Sequence, residues 1–174
     1  PVWVSVAVPK DAAPGVYKGR VLVKGKGVKL RGEIGVKVYP VVLEEPTLWV
    51  TNWFNAGERS LKHFNPDAVL YSEEHWDYVR ALAKIMKDSY QNTILVSVGL
   101  IESKAEGDKW SFDFTNFDKE VEIFQEAGVL KKLEVGHIGG RVGLWNSPFG
   151  VNVPGVDGKL PIEDPVAMNY YSHF

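Results

Sequence analysis

The sequence predicts a chain of mixed class, in which an all-β segment precedes an α/β domain. Residues 1–40 show the period-two alternation of β-strands. From Thr47 onward, apolar β-branched runs alternate with amphipathic helical patterns, which is typical of a parallel sheet. The local pattern is also compatible with a doubly wound sheet. We favour an eight-stranded barrel, which needs roughly 250 residues when complete. The predicted fold is therefore a truncated (β/α)8 TIM-type barrel preceded by the last strands of a β-sandwich.

The all-β segment is predicted to hold three antiparallel strands. They cover Val2–Val8, Val16–Lys24 and Val28–Tyr39. A short hairpin at residues 25–27 joins the last two, and Gly32 and Gly35 indicate a bulge or bend. Because sandwiches use about seven strands, we interpret residues 1–40 as the C-terminal strands of a sandwich domain. The proline-bounded residues 41–46 are interpreted as a linker.

Residues 47–174 are predicted to form the first β/α units of an incomplete barrel. The expected elements are a strand at Thr47–Phe54, a helix capped by Ser72, a strand at Thr93–Ile101, a helix from Thr115 or Asn116 and a strand at 131–137. The first helix aligns the apolar side chains of Trp76, Val79, Ala83 and Met86, and the second those of Phe117, Val121 and Phe124. Gly128 is expected to end the second helix. A polar loop is expected before Ser72, and His75 is expected at the surface or in the first helical turn.

Both ends of the chain look interrupted. The opening PVWVSVAV is already in a strand pattern and lacks a starting methionine, while DPVAMNYYSHF reads as the first turns of a helix. We therefore expect a piece of a longer polypeptide.

The amino-acid composition limits the kinds of binding partner that we expect. The 174 residues include 20 Lys and Arg against 22 Asp and Glu, so no basic surface for nucleic acid is expected. No run of eighteen apolar residues predicts a membrane span. Cysteine is absent, which excludes disulfides and thiolate metal sites and leaves the compartment and the oligomeric state open.

A glycine-rich stretch, GHIGGRVG, follows the third predicted α/β strand. Its His137 and Arg141 could bind hydroxyls or a charged group from a mobile loop at the strand end, where ligands bind in parallel sheets. The alternative is a structural loop whose arginine pairs with a nearby acid. The stretch matches neither the dinucleotide nor the Walker phosphate pattern.

Aromatic residues provide a second candidate site. Asn52, Trp53 and Phe54 end the first α/β strand, and Trp145 follows the glycine-rich stretch. Flat aromatic faces suit a sugar ring, whose hydroxyls then take hydrogen bonds from polar neighbours. The alternative is core packing, which is favoured for Phe54.

The acids and histidines show no catalytic or metal pattern. Asp113 and Asp118 flank a helix start and are interpreted as structural, and Glu134 lies within a strand. The four histidines lack ligand spacing, and no G-x-S-x-G elbow occurs, so neither a metal site nor a nucleophile is predicted.

Several stretches together resemble a known family. TLWVTNWFN, YSEEHWDYVRALAKIMKDSYQNTILV, FDFTNFDKEVEIFQEAG and VGHIGGRVG resemble, in order, the first half of the catalytic domain of glycoside hydrolase family 123. The preceding VWVSVAVPKDAAPGVYKGRVLVKG resembles the closing strands of the sandwich that precedes catalytic barrels in several bacterial glycoside hydrolases. FDFTNFD and GHIGGR are the most specific parts.

The resemblance implies a retaining β-N-acetylgalactosaminidase that removes terminal β-linked GalNAc and uses the 2-acetamido group of its substrate as nucleophile. An adjacent Asp-Glu pair would orient that group and supply the general acid and base. The acid pairs present, at residues 44–45, 73–74 and 163–164, do not match that pair, which is expected beyond Phe174. No catalytic residue is therefore assigned within the chain.

The resemblance also implies a carbohydrate substrate, no metal or organic cofactor, and secretion or a periplasmic location. By position, the expected sugar-contacting residues are Asn52, Trp53, His137, Arg141 and Trp145. The alternative function is a catalytically inactive relative that binds carbohydrate or acts as a scaffold.

Overall fold

The computed structural model describes residues 3–174. The chain divides into two compact units, Pro1–Glu45 and Pro46–Phe174. None of the helices in residues 3–174 has the length and hydropathy of a membrane-spanning segment.

The first unit contains an antiparallel hairpin of β1 (Gly15–Gly25) and β2 (Val28–Val38). Its two-residue turn places Gly27 at a φ of 74°, a conformation that glycine adopts without a steric penalty. Pairing is one-to-one along both strands, so of the bulge or bend that Gly32 and Gly35 indicated, the bulge is wrong.

The sandwich prediction for this unit is also wrong. Residues 3–8 form no strand, and Val2 lies outside the described residues. The observed sheet has two strands. The period-two pattern near the start of the chain predicted a strand, but a strand also needs a hydrogen-bonded neighbour, and the structure shows none for residues 3–8.

The second unit mixes four α-helices with short strands. In chain order these are α1 Glu58–Phe64, α2 Glu73–Asp88, β3 Thr93–Val96, a 3₁₀ turn Val98–Leu100, β4 Glu102–Glu106, β5 Lys109–Asp113, α3 Thr115–Glu126, β6 Lys132–Val135, β7 Gly139–Arg141, β8 Phe149–Val151, β9 Leu160–Pro161 and α4 Pro165–His173. Strands β3 and β6 pair in parallel. Strands β4 and β5 form one antiparallel sheet, and β7, β8 and β9 form another.

The structure confirms the helix predicted after Ser72, which is α2. The Ser72 hydroxyl caps it by accepting a hydrogen bond from the backbone N–H of His75, and Glu73 and Glu74 lie in the first turn, where acids interact favourably with the helix dipole. All four of the predicted apolar positions are buried: Trp76, Val79, Ala83 and Met86.

Helix α3 begins at Thr115, as predicted, and packs on α2 and β3. The Asp113 carboxylate accepts a hydrogen bond from the Thr115 N–H at 2.8 Å, so this acid is structural, as expected. Phe124 is fully buried in the core. Gly128, at a φ of 69°, follows the end of the helix, and the Lys87 ammonium donates to the Ala127 carbonyl at that end.

A second, smaller core lies under helix α4. Val151, Val153, Ala167 and Tyr170 are buried together. The Trp110 indole donates to the Asn169 side chain at 2.9 Å, which attaches the β4–β5 hairpin to α4. The helical pattern at the end of the sequence is therefore confirmed.

The truncated barrel is not observed, and this prediction is wrong. Only β3 and β6 pair in parallel in the described residues, and no barrel is closed. Thr47–Phe54 forms no strand, and Val96 ends β3 well before the predicted Ile101. After each parallel strand the chain continues into short antiparallel sheets. Helix α1 occupies part of the polar loop that was expected before Ser72. Strand ladders depend on distant partners, which local periodicity does not reveal.

Asn92 explains how the segment before α1 is held without a ladder. The Asn92 side chain accepts a hydrogen bond from the Val50 N–H and donates one to the Leu48 carbonyl, both at 2.8 Å. Its backbone N–H donates to the Val50 carbonyl, and its own carbonyl accepts from the N–H groups of Lys131 and Lys132. One buried residue therefore joins three chain segments.

We predict that Asn92→Ala destabilises the protein by about 1–3 kcal/mol, because it removes both side-chain hydrogen bonds that hold the Leu48–Val50 segment. The free energy of unfolding, followed by tryptophan fluorescence in urea, checks this. The exposed Asn152 is the control, and Asn152→Ala should change that free energy by less than about 0.5 kcal/mol. Equal effects of the two variants would contradict the role of Asn92.

Candidate functional site

A cleft of about 390 Å³ opens where the two parallel strands end. Its walls come from elements distant in sequence: Ser97 and Gly99 after β3, Gly136 after β6, residues 54–57 before α1, and Glu120 of α3. The volume falls within the range of small-molecule sites, and the carboxyl ends of parallel strands are where such sites commonly lie.

Glu120 is the most unusual side chain of the cleft. It lies on the inner face of α3 and is only 4% exposed. Burial raises the pKa of its carboxyl group to about 7, and in residues 3–174 no neighbouring charge or hydrogen bond offsets that effect. The group therefore takes up a proton near neutral pH, and its polar atoms are left for whatever occupies the cleft.

Tyr71 and His75 form the wall opposite α3. Tyr71 adopts a left-handed φ of 63°, and its ring stacks on Trp76 with ring centroids 6.0 Å apart. Burial raises the pKa of the Tyr71 phenol, and the carboxylates of Glu102 and Glu120 raise it further. The phenol therefore stays protonated at neutral pH and remains a hydrogen-bond donor.

Both ring nitrogens of His75 are already used. Its Nε2 lies 2.8 Å from the Ala56 carbonyl and must donate, while Nδ1 accepts from the Tyr71 N–H at 3.3 Å. The ring is thus a neutral connector between two chain segments. The expectation of His75 in the first helical turn is confirmed, and the alternative of a surface residue is wrong, since the side chain is buried.

Among the described residues, no lysine or arginine that could bind an anion lines the cleft. Its polar atoms come from Glu120, Tyr71, Ser97 and Asn55, and its apolar surface comes from Phe54 and leucine side chains. This combination suits an uncharged ligand that has both polar and apolar faces.

Asn52 and Trp53 come directly before the cleft wall. Trp53 is 72% exposed, and its indole N–H donates to Glu134 at 3.1 Å. The Thr51 hydroxyl donates to the other oxygen of the same carboxylate at 3.4 Å. Glu134 therefore sets the orientation of an exposed aromatic ring.

His137 follows Gly136 of the cleft but is itself exposed, with its ring edge-on to Phe149. Arg141 donates to the Ser147 carbonyl at 3.0 Å. Its own carbonyl accepts from the Lys159 ammonium.

The glycines next to His137 do not form the mobile loop that the sequence indicated. Gly139 and Gly140 belong to β7 and pair with β8. A Cβ on Gly139 would lie 2.8 Å from the Phe149 ring and closer still to the Gly150 carbonyl oxygen. Glycine is required at position 139 because two backbones approach closely, not because the chain must move.

Trp145 is 90% exposed. None of the five predicted sugar-contacting residues lines the cleft, although Trp53 and His137 are each next to a residue that does. Among the described residues, no group of three or more His, Asp and Glu could hold a metal ion.

Sequence reasoning missed Glu120, although a signal was present. Glu120 follows Phe117 by three residues and precedes Phe124 by four, which places an acid on the apolar face of the helix. An ionisable residue on a buried stripe is a marker of functional sites.

The comparison with protein families supports a functional reading of this region. Residues 53–148, more than half of the chain, match the family model described as glycoside hydrolase 123, catalytic domain. A search of curated proteins finds no match.

We predict that, because of Glu120, the free energy of unfolding decreases as the pH rises. Its pKa is raised from 4.5 in the unfolded chain to about 7, so the folded state holds the proton more tightly. The stability it contributes is complete below about pH 4.5 and is lost as pH rises through about 7, by roughly 3 kcal/mol in total. Urea unfolding across this range should show the loss in wild type and not in Glu120→Gln. Glu126→Gln, an exposed position on the same helix, should behave as wild type. The same pH slope in wild type and Glu120→Gln would refute the assignment.

For the β7–β8 contact, we predict that Gly139→Ala costs about 1–3 kcal/mol of stability, because the added methyl group forces the two strands apart. Amide hydrogen exchange should show lost protection in β7 and β8. Gly32→Ala is the control, since a Cβ there meets nothing within 4 Å in an equally regular strand. If the amide exchange rates of β7 and β8 were unchanged in Gly139→Ala, the requirement for glycine at this position would be contradicted.

Proposed function

The chain belongs to glycoside hydrolase family 123, and on this basis we propose that the protein is a retaining β-N-acetylgalactosaminidase. It removes terminal β-linked GalNAc by substrate-assisted catalysis. The observation that carries the proposal is the extent of the family match: residues 53–148 include the cleft walls from Phe54 to Gly136.

The proposed reaction has two steps. The carbonyl oxygen of the 2-acetamido group attacks the anomeric carbon, the glycosidic bond breaks, and a general acid protonates the leaving oxygen. Water then attacks the resulting oxazolinium at the anomeric carbon and gives up a proton to the same residue. The product keeps the β configuration because two inversions occur at that carbon.

We place the Asp-Glu pair of this reaction in the polypeptide beyond Phe174. Two of the acid pairs of the described residues have a structural member: Glu73 forms an ion pair with Arg80 at 2.7 Å, and Asp164 caps α4 through the Val166 N–H. The proposed carbohydrate-binding part of the site is the cleft, and Asn52, Trp53, His137, Arg141 and Trp145 are proposed as further sugar contacts.

A second candidate is a carbohydrate-binding or scaffold relative without catalysis. It is favoured by one observation: none of the adjacent acid pairs in residues 3–174 lines the cleft. Absence of an Asp-Glu pair from the complete polypeptide would select this candidate.

We predict that the complete polypeptide hydrolyses 4-nitrophenyl β-N-acetylgalactosaminide but not the matching β-galactoside, which lacks the acetamido nucleophile. The release of nitrophenol measures both rates, and proton NMR of the first product should show the β-anomer. Residues 1–174 alone should be inactive, and activity in that piece would move the acid pair inside it. Equal rates on the two glycosides would exclude participation of the acetamido group.

We predict that Trp53→Ala lowers kcat/KM about tenfold, through loss of ring stacking on the sugar. Glu134→Gln keeps an oxygen that accepts from the indole N–H and should stay near wild type, whereas Glu134→Ala should lose part of the activity. Steady-state kinetics on the same chromogenic substrate measure all three variants. Wild-type kinetics in Trp53→Ala would remove this ring from the site.

A further inference from the structure

We propose that Glu120 is a ligand-binding residue, whose carboxyl group at the wall of the cleft hydrogen-bonds the hydroxyl groups of an uncharged sugar. The inference rests on the proposed function for the identity of the sugar. The site itself rests on the burial and geometry of the cleft.

The first argument is the burial of an acid without a partner. Glu120 is 96% buried, since its exposed fraction is 4%. Carboxyl groups in such positions are normally satisfied by an arginine, a lysine or several N–H groups, because burying one unpaired is costly. Within residues 3–174, burial is the single cause acting on its pKa, so no such partner is present.

The second argument is where the carboxyl group lies. Glu120 lines a cleft shared with the strand-end residues Ser97 and Gly136. A replacement by leucine would fill the same face of α3 and pack with Phe117 and Phe124 at lower cost, as cores generally do. A polar group in this place therefore acts on something that enters the cleft.

The third argument concerns the charge of that ligand. The titratable groups around the carboxyl are Tyr71 and His75 in the cleft and Glu102, whose charge acts on Tyr71. None of them is a cation that would hold an acidic sugar, since both His75 nitrogens are occupied by backbone groups. A protonated carboxyl group next to a phenol offers two donors and several acceptors, which matches the hydroxyls of a neutral sugar.

The test measures binding of N-acetylgalactosamine by isothermal titration, and hydrolysis of its 4-nitrophenyl β-glycoside, with the complete polypeptide. Glu120→Leu should weaken binding at least tenfold while leaving the melting temperature equal or higher, because a purely structural change would not separate the two. Glu120→Gln retains a donor and an acceptor and should bind within about threefold of wild type. Glu126→Leu is the matched control on the same helix and should bind as wild type.

A pH series provides a second readout if Glu120→Leu fails to fold. Wild-type affinity should fall between about pH 6 and about pH 8, as the carboxyl group loses its donor proton, and Glu120→Gln should show no such fall. Galacturonate, the anionic probe, should bind wild type at least tenfold more weakly than N-acetylgalactosamine.

The outcomes separate the two proposals. Binding of the sugar without hydrolysis would contradict the hydrolase proposal. The role of Glu120 in binding would then still be tested by the affinity of its variants. Hydrolysis with unchanged affinity in Glu120→Leu, or the same pH profile in wild type and Glu120→Gln, would overturn the role of Glu120 alone. A wild-type protein that neither binds nor cleaves the sugar would overturn both.

Discussion

The second unit depends on the hydrogen bonds of one buried amide. Asn92 uses its backbone and side chain to join the segment at Leu48 and Val50, the start of β3 and the start of β6. Because the side chain takes the place of a strand ladder, the segment before α1 stays beside the sheet without being part of it. That arrangement brings residues 54–57 to the ends of β3 and β6, where the cleft forms.

The same packing creates the conditions for binding. Helices α2 and α3 contact each other and bury the apolar sides of both, with Phe124 at the centre. Glu120 lies on that buried side of α3. An acid without a partner at the edge of the core lowers the stability of the fold. Proteins retain such costs at functional sites, and here the acid faces a cleft lined by groups that carry no positive charge.

The local parts of the fold were predictable from sequence. Ser72 followed by two acids and a regular apolar stripe specified α2, and Thr115 and Gly128 marked the two ends of α3. The resemblance to glycoside hydrolase family 123 was likewise readable, because it rests on short contiguous stretches, and the family match confirms it. Of the candidate site, sequence pointed to the strand ends but not to the residue that lines the cleft from α3.

The sequence by itself determined helices α2, α3 and α4, the β1–β2 hairpin and the family, since helix capping, helix hydrogen bonds and hairpin turns connect residues close together in the chain. Only the tertiary structure decided that Thr47–Phe54 would form no strand, that Gly139 serves a close strand contact, and that Glu120 would be buried. Each of these depends on a partner distant in sequence: Asn92, Gly150 and the cleft residues after β3 and β6. Strand pairing and burial are decided by which distant segments meet, and periodicity within one segment carries no record of that.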